Sequence, residues 1–138
     1  MKYEARSLRK DDQNDIFKLL EEISNFQPTD FQKTWDSYIN NNNNFSIVVE
    51  VKKRIIGFSS IFYFTRIRGG LSGVIEDVVV DSQFRGQGIG SLMIDNLCND
   101  ALSKNAFKVF LTSNEINSSF YKKLGFTSNG QSLVKYFI

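Results

Sequence analysis

Apolar residues recur along this chain in two rhythms, and the switch between them divides it into elements. Runs rich in β-branched and aromatic residues at Phe45–Val51, Ile55–Phe64 and Leu71–Val80 predict strands. Lys52-Lys53-Arg54 joins the first two as an antiparallel hairpin. Tyr3–Leu8 and Lys108–Leu111 are shorter runs of the same kind, and Phe126–Ile138 is expected to supply one or two closing strands.

The other rhythm is helical. Asp11 or Asp12 can cap a helix whose apolar face is Ile16, Phe17, Leu19, Leu20 and Ile23. Pro28-Thr29-Asp30 opens a second, with Phe31, Trp35, Tyr38 and Ile39 on one side. Ile89, Leu92, Met93, Leu97 and Ala101 mark a third from about Gly88 to Lys104. A short fourth covers Ile116–Lys123 and stops at Gly125, a left-handed terminator. Asn40–Asn44 is a solvated loop, as is Thr65–Gly70. This order predicts a single α/β (α+β) domain over residues 1–138, one mixed sheet with helices on both faces.

Composition narrows the chemistry. The 138 residues are 41% hydrophobic with a single proline, which suits one globular core. A net charge of +2 gives no argument for nucleic acid or an anionic membrane. No apolar run approaches the ~20 residues of a membrane span, and the first residues form no signal pattern, so a cytoplasmic protein is expected. With no histidine, Ser-His-Asp and Cys-His machinery and most zinc sites are excluded, and no metal is expected. The one cysteine, Cys98, falls inside a helical pattern and is read as a buried structural thiol. Carboxylates, hydroxyls, phenols and backbone groups remain.

One stretch gathers these together. Val78-Val79-Val80 ends a strand, and Arg85-Gly86-Gln87-Gly88-Ile89-Gly90-Ser91 enters a helix. Unpaired N–H groups and the helix dipole make such an entry an anion site, and the glycines clear space for phosphate oxygens. A nucleotide P-loop needs Lys after its last glycine, and none follows Gly90. A dinucleotide loop needs G-x-G-x-x-G early in a βαβ unit; here the spacing is G-x-G-x-G, after a hairpin.

Arg85–Gly90 reads R-x-x-G-x-G and resembles the acyl-CoA pyrophosphate loop of the GNAT N-acetyltransferase superfamily. Asn117-Ser118-Ser119-Phe120-Tyr121-Lys122-Lys123-Leu124-Gly125-Phe126 resembles the late N-x-x-F-Y-x-K-x-G-F segment of that superfamily. The resemblance implies acetyl-CoA as co-substrate, its pyrophosphate on the amides of Arg85, Gly86, Gln87, Gly88, Ile89 and Gly90, with Ser91 close by. It implies a sheet with a splayed central strand pair, the backbone of Val78, Val79 and Val80 bonding the pantetheine arm. Asn117 then contacts pantetheine, and Tyr121 stands near the thioester sulfur.

Glu76 and Asp77 are the candidate bases, carboxylates in a strand pattern that otherwise disfavours them. Adjacent strand residues point to opposite faces, so only one is expected to serve a given pocket. Ile75–Val80 with Phe84–Gly90, and Pro28-Thr29-Asp30-Phe31, are similar to the glucosamine-6-phosphate N-acetyltransferase branch. That similarity implies that Glu76 and Asp77 touch the sugar and that the protein is a homodimer exchanging its C-terminal strand. The branch's basic, histidine-containing stretch is replaced here by Phe62–Arg68, where Arg66 and Arg68 supply charge for substrate. Other acceptors, a different small amine or a protein N-terminus, stay open, as does a CoA-binding module without transferase activity.

Overall fold

A computed structural model describes residues 2–21 and 30–137. Five strands form one sheet in the order β1-β2-β3-β4-β5. They are β1 Glu4–Ser7, β2 Asn44–Val51, β3 Arg54–Arg66, β4 Gly70–Val80 and β5 Lys108–Phe110. The first four pair antiparallel and β5 runs parallel to β4. The helices are α1 Gln13–Leu20, α2 Phe31–Ile39, α3 Ile89–Ser103 and α4 Glu115–Lys123.

Alternation along β2 sorts the core onto two faces. Ile47, Val49 and Val51 join Ile56, Ile61 and Ile75 beneath Ile89, Met93, Ile94 and Leu97 of α3. Val48 turns the other way, joining Phe58 and Val79 beneath Ile16 and Leu19 of α1 and Trp35 of α2. Among the described residues α3 is the longest helix, and it follows the end of β4 through the glycine turn.

Several local expectations hold and others are corrected. Asp30 caps α2, its carboxylate accepting the Lys33 N–H at 3.0 Å. Ile23, Pro28 and Thr29 lie outside the described residues. Asp12 sits at the start of α1 without capping it, because Arg6 grips both its carboxylate oxygens at 2.9 Å. Arg6 also bonds Glu50 at 3.0 Å, tying β1, β2 and the α1 entry together. The β3–β4 hairpin is longer than predicted, its ladder reaching Arg66 opposite Gly70.

The closing strands do not form: residues 127–137 carry no strand, and Leu133, Val134, Tyr136 and Phe137 are exposed. A strand is stable only against a neighbour's ladder, and among the described residues no strand pairs with the segment.

Candidate active site

The site begins with an irregularity in β4. Phe58 pairs with Val79 and Ser60 with Glu76, so Asp77 and Val78 together oppose Ser59 alone. Such an extra residue is a β-bulge, and it breaks strict alternation. Asp77 occupies the left-handed region with φ +58°, which Asp tolerates better than most side chains. Ile75 and Val78 consequently both pack toward α3. Glu76 lies opposite Ser60 on the α1–α2 face, and the Asp77 charge acts on Tyr38 of α2. The expectation that the two carboxylates must point apart is therefore corrected: the bulge brings both to one face.

Their electrostatics follow from that proximity. Both side chains touch solvent, yet the protein around them raises both pKa values. Desolvation is the main cause for each, and the Asp77 charge pushes Glu76 further up. A carboxylate moved toward neutrality is a better proton acceptor near pH 7.

The second feature is a gap. β5 pairs with β4 only at Ser72, Gly73 and Val74, while β4 continues to Val80. From Ile75 onward the β5-facing edge of β4 has no ladder partner among the described residues, leaving main-chain donors and acceptors open to an extended ligand. This is the splayed strand pair expected from sequence, and Val78, Val79 and Val80 lie along it. Their side chains are core while their backbone borders the gap.

The glycine turn closes one end of the gap. Asp81 accepts the Gln83 N–H at 2.9 Å and an ion pair from Arg54 at 2.6 Å. The Arg54 guanidinium lies 5.5 Å from the Phe84 ring centroid, and Arg85 donates to the Val80 carbonyl at 3.2 Å. Tyr3 of the N-terminal segment hydrogen-bonds the Gln87 side chain and packs edge-on against Phe84. Gly86 (φ +78°) and Gly88 (φ +83°) adopt backbone that disfavours a side chain, and nothing lies within 4 Å of where their Cβ atoms would stand. Gly88 is the N-cap of α3 and offers no side-chain cap, so the N–H groups of Ile89, Gly90 and Ser91 remain for an anion.

Gly90 serves a different purpose. A Cβ there would lie 3.1 Å from the Phe120 ring, so its absence lets α4 rest on the α3 entry. Asn114 caps α4 by accepting the Asn117 N–H at 2.9 Å, leaving the Asn117 side chain exposed in the first turn. One turn on, Tyr121 is half-buried between Phe120 (4.9 Å) and Phe126 (6.0 Å), and desolvation raises its pKa. A phenol so placed keeps its proton at neutral pH.

Two predicted substrate residues lie elsewhere. Arg66 is at the far end of β3, about 20 Å from Ser60 at ~3.4 Å per residue. It stacks on Phe64 (5.2 Å) and Phe110 (5.5 Å), and Arg68 is exposed in the adjoining turn. Within one chain, neither is brought to Glu76 and Asp77. Tyr3 and Arg54, which carry no local signal of a role at the glycine turn, both support it. Each meets the glycine turn only through strand pairing. No cluster of three potential metal ligands occurs among the described residues.

Comparison with known proteins places this geometry. Residues 11–126 match the Acetyltransferase (GNAT) family. Glucosamine 6-phosphate N-acetyltransferase of Trypanosoma brucei brucei is 43% identical over 82 residues, 58% of this chain and 56% of that protein. The Schizosaccharomyces pombe enzyme of that name is 36% identical over 94 residues, 65% of this chain and 85% of that protein. The chain thus spans about half the length of some of these curated relatives and most of another. The crystal structure of glucosamine-6-phosphate N-acetyltransferase from Arabidopsis thaliana superposes with TM-score 0.90 over all of both chains, at 26% identity.

Proposed function

Because this chain belongs to the acetyltransferase (GNAT) family, we propose that it moves an acetyl group from acetyl-CoA to a small primary amine, glucosamine 6-phosphate being the leading acceptor. The observation that carries the reading is the uncapped glycine entry of α3 beside the unpaired edge of β4. An anion-binding turn next to an extended run of free backbone groups suits a ligand with a pyrophosphate at one end and amides along its arm. Bound acetyl-CoA supplies an acyl carbonyl activated by a thiol leaving group.

The chain's residues meet the remaining demands. An alkyl ammonium with pKa ~10.4 is neutral in only about one molecule in 2,500 at pH 7, a cost of roughly 4.6 kcal/mol. Glu76 and Asp77, held on one face with raised pKa values, are suited to take that proton, directly or through water. Free N–H groups on β4 are the available donors to negative charge that builds on the carbonyl oxygen. Tyr121, kept protonated by desolvation, is the proton donor for the departing sulfur.

A homodimer belongs to the same proposal. Leu133, Val134, Tyr136 and Phe137 are exposed on a segment with no ladder partner among the described residues, and a second copy supplies one by exchange. The exposed Arg66 and Arg68 are then available to substrate across that interface. No helix among the described residues is long and apolar enough to cross a membrane, in keeping with a cytoplasmic metabolic role.

Thiol release from acetyl-CoA, followed across an amine panel, tests the proposal. Turnover on glucosamine 6-phosphate and little on glucosamine is expected. Turnover on another amine alone replaces the acceptor; tight CoA binding without turnover on any amine makes the protein a CoA-binding module.

A further inference from the structure

Residues 85–88 of the glycine turn are all exposed, between half-buried Phe84 and the buried Ile89. Both ends of the turn are fixed. Arg85 Nε donates to the Val80 carbonyl at 3.2 Å, and Ile89 packs in the core with Met93 and Leu97. The middle is built differently. Gly86 and Gly88 both take left-handed φ values, and nothing lies within 4 Å of where their Cβ atoms would stand. Glycine visits many backbone conformations at little cost, so a turn built on two of them keeps one shape only under outside restraint.

Gln87 is the one side chain between those glycines, and it is held from the other end of the chain. The Tyr3 phenol donates to Gln87 Oε1, while its ring packs edge-on against Phe84 with centroids 6.4 Å apart. Tyr3 stands directly before β1, whose Glu4 pairs with Glu50 of β2. Arg6 of the same strand is ion-paired to Asp12 and to Glu50. The phenol therefore reaches the turn from a frame secured by a ladder and two ion pairs.

Such restraint matters to an anion. A ligand that must first order its turn loses affinity to the entropy of ordering, and a turn ordered beforehand avoids that loss. The N–H groups that meet a phosphate belong to the backbone that the two glycines leave loose. We propose that Tyr3 is a positioning residue for the CoA pyrophosphate: by holding Gln87, its hydroxyl keeps residues 86–88 in the anion-binding shape before the ligand arrives. β1 is three places from β4 in the sheet order, so the effect falls on donor binding and not on the chemical step.

This inference rests on acetyl-CoA as the donor, and calorimetric titration with CoA separates the two. Tyr3→Phe removes the hydroxyl and keeps the ring against Phe84. Its Kd for CoA should rise roughly threefold to tenfold, the scale of one neutral hydrogen bond. The acetyl-CoA KM should rise in step, while kcat at saturating acetyl-CoA holds. Gln87→Ala removes the other partner, and in that background Tyr3→Phe should cost nothing further. Gln87→Met keeps the side-chain length without the amide acceptor and should raise Kd to a similar degree; it takes the place of Tyr3→Phe if that variant fails to fold. Wild-type affinity in Tyr3→Phe overturns the role of Tyr3, as does a loss that recurs undiminished in the Gln87→Ala background. A fall in kcat at unchanged KM overturns it too. A wild-type protein with no affinity for CoA overturns the reading of the turn itself.

Discussion

Gly90 and Phe120 touch across the α3–α4 junction so closely that an added Cβ would stand 3.1 Å from the ring. Two glycines of one motif therefore act by different physics. Gly90 has ordinary backbone and lacks space, whereas Gly88 has space and an unusual φ of +83°. Gly90→Val should displace Phe120 and raise the acetyl-CoA KM through movement of α4. Gly88→Ala should act by conformation alone, costing about 1–2 kcal/mol, or roughly 5- to 30-fold in acetyl-CoA affinity. Asn enters the left-handed region more readily than Ala, so affinity at position 88 should rank Gly, then Asn, then Ala. Isothermal titration with CoA reads the order; equal affinities for Asn and Ala would contradict it.

Asp77→Asn separates stability from catalysis. Asn tolerates the +58° φ, so the bulge survives. The native pKa of Asp77 is raised, so ionising it costs the folded state more than the unfolded one. That penalty is absent below the unfolded carboxylate pKa of ~3.9 and grows as pH rises through the raised native value. The variant should melt higher than wild type at pH 7, converge with it near pH 3, and lose kcat. Thermal melts across that range check the sign; a lower melting temperature at pH 7 would contradict it.

Tyr121→Phe preserves the ring contacts with Phe120 and Phe126 and removes the proton. The kcat should fall by about 10²-fold, the lower end for general acid catalysis, with little change in acetyl-CoA affinity. Unaltered turnover would take the phenol out of the reaction.

Arg54→Ala removes the ion pair to Asp81 and the cover over Phe84, without reaching the gap itself. Half of the Arg54 side chain is exposed, so the loss should be modest, about 1 kcal/mol. It should surface as a several-fold higher acetyl-CoA KM at unchanged kcat. A fall in kcat alone would place Arg54 outside the loop's support.

Much of this architecture is legible in the residues. Val78–Val80 followed by Arg85–Gly90 marks the strand-to-helix turn because β-branching, glycine and helical spacing are local signals. The bulge at Asp77 is not legible, since one extra residue leaves composition and hydrophobicity unchanged and shows only in the pairing with β3. The Arg6–Asp12 clamp defeats the capping expectation because its donor comes from another element. The hydrogen-bonded hydroxyls of Tyr38, Ser46 and Ser60 are invisible for a related reason: they meet only when strand register opposes the two serines and α2 docks Tyr38 over them. The C-terminal segment has strand-like content, but content does not provide a partner edge.

The bulge also sets this sheet against itself. Removing Asp77 would heal the ladder between β3 and β4, restore simple alternation and erase both a strained φ and a poorly solvated charge. The repaired sheet would be the sturdier one, and it would have lost half of the carboxylate pair we propose as the proton acceptor. On that proposal the chemistry hangs on a one-residue frameshift in the pleat, a flaw that folding alone would have every reason to correct.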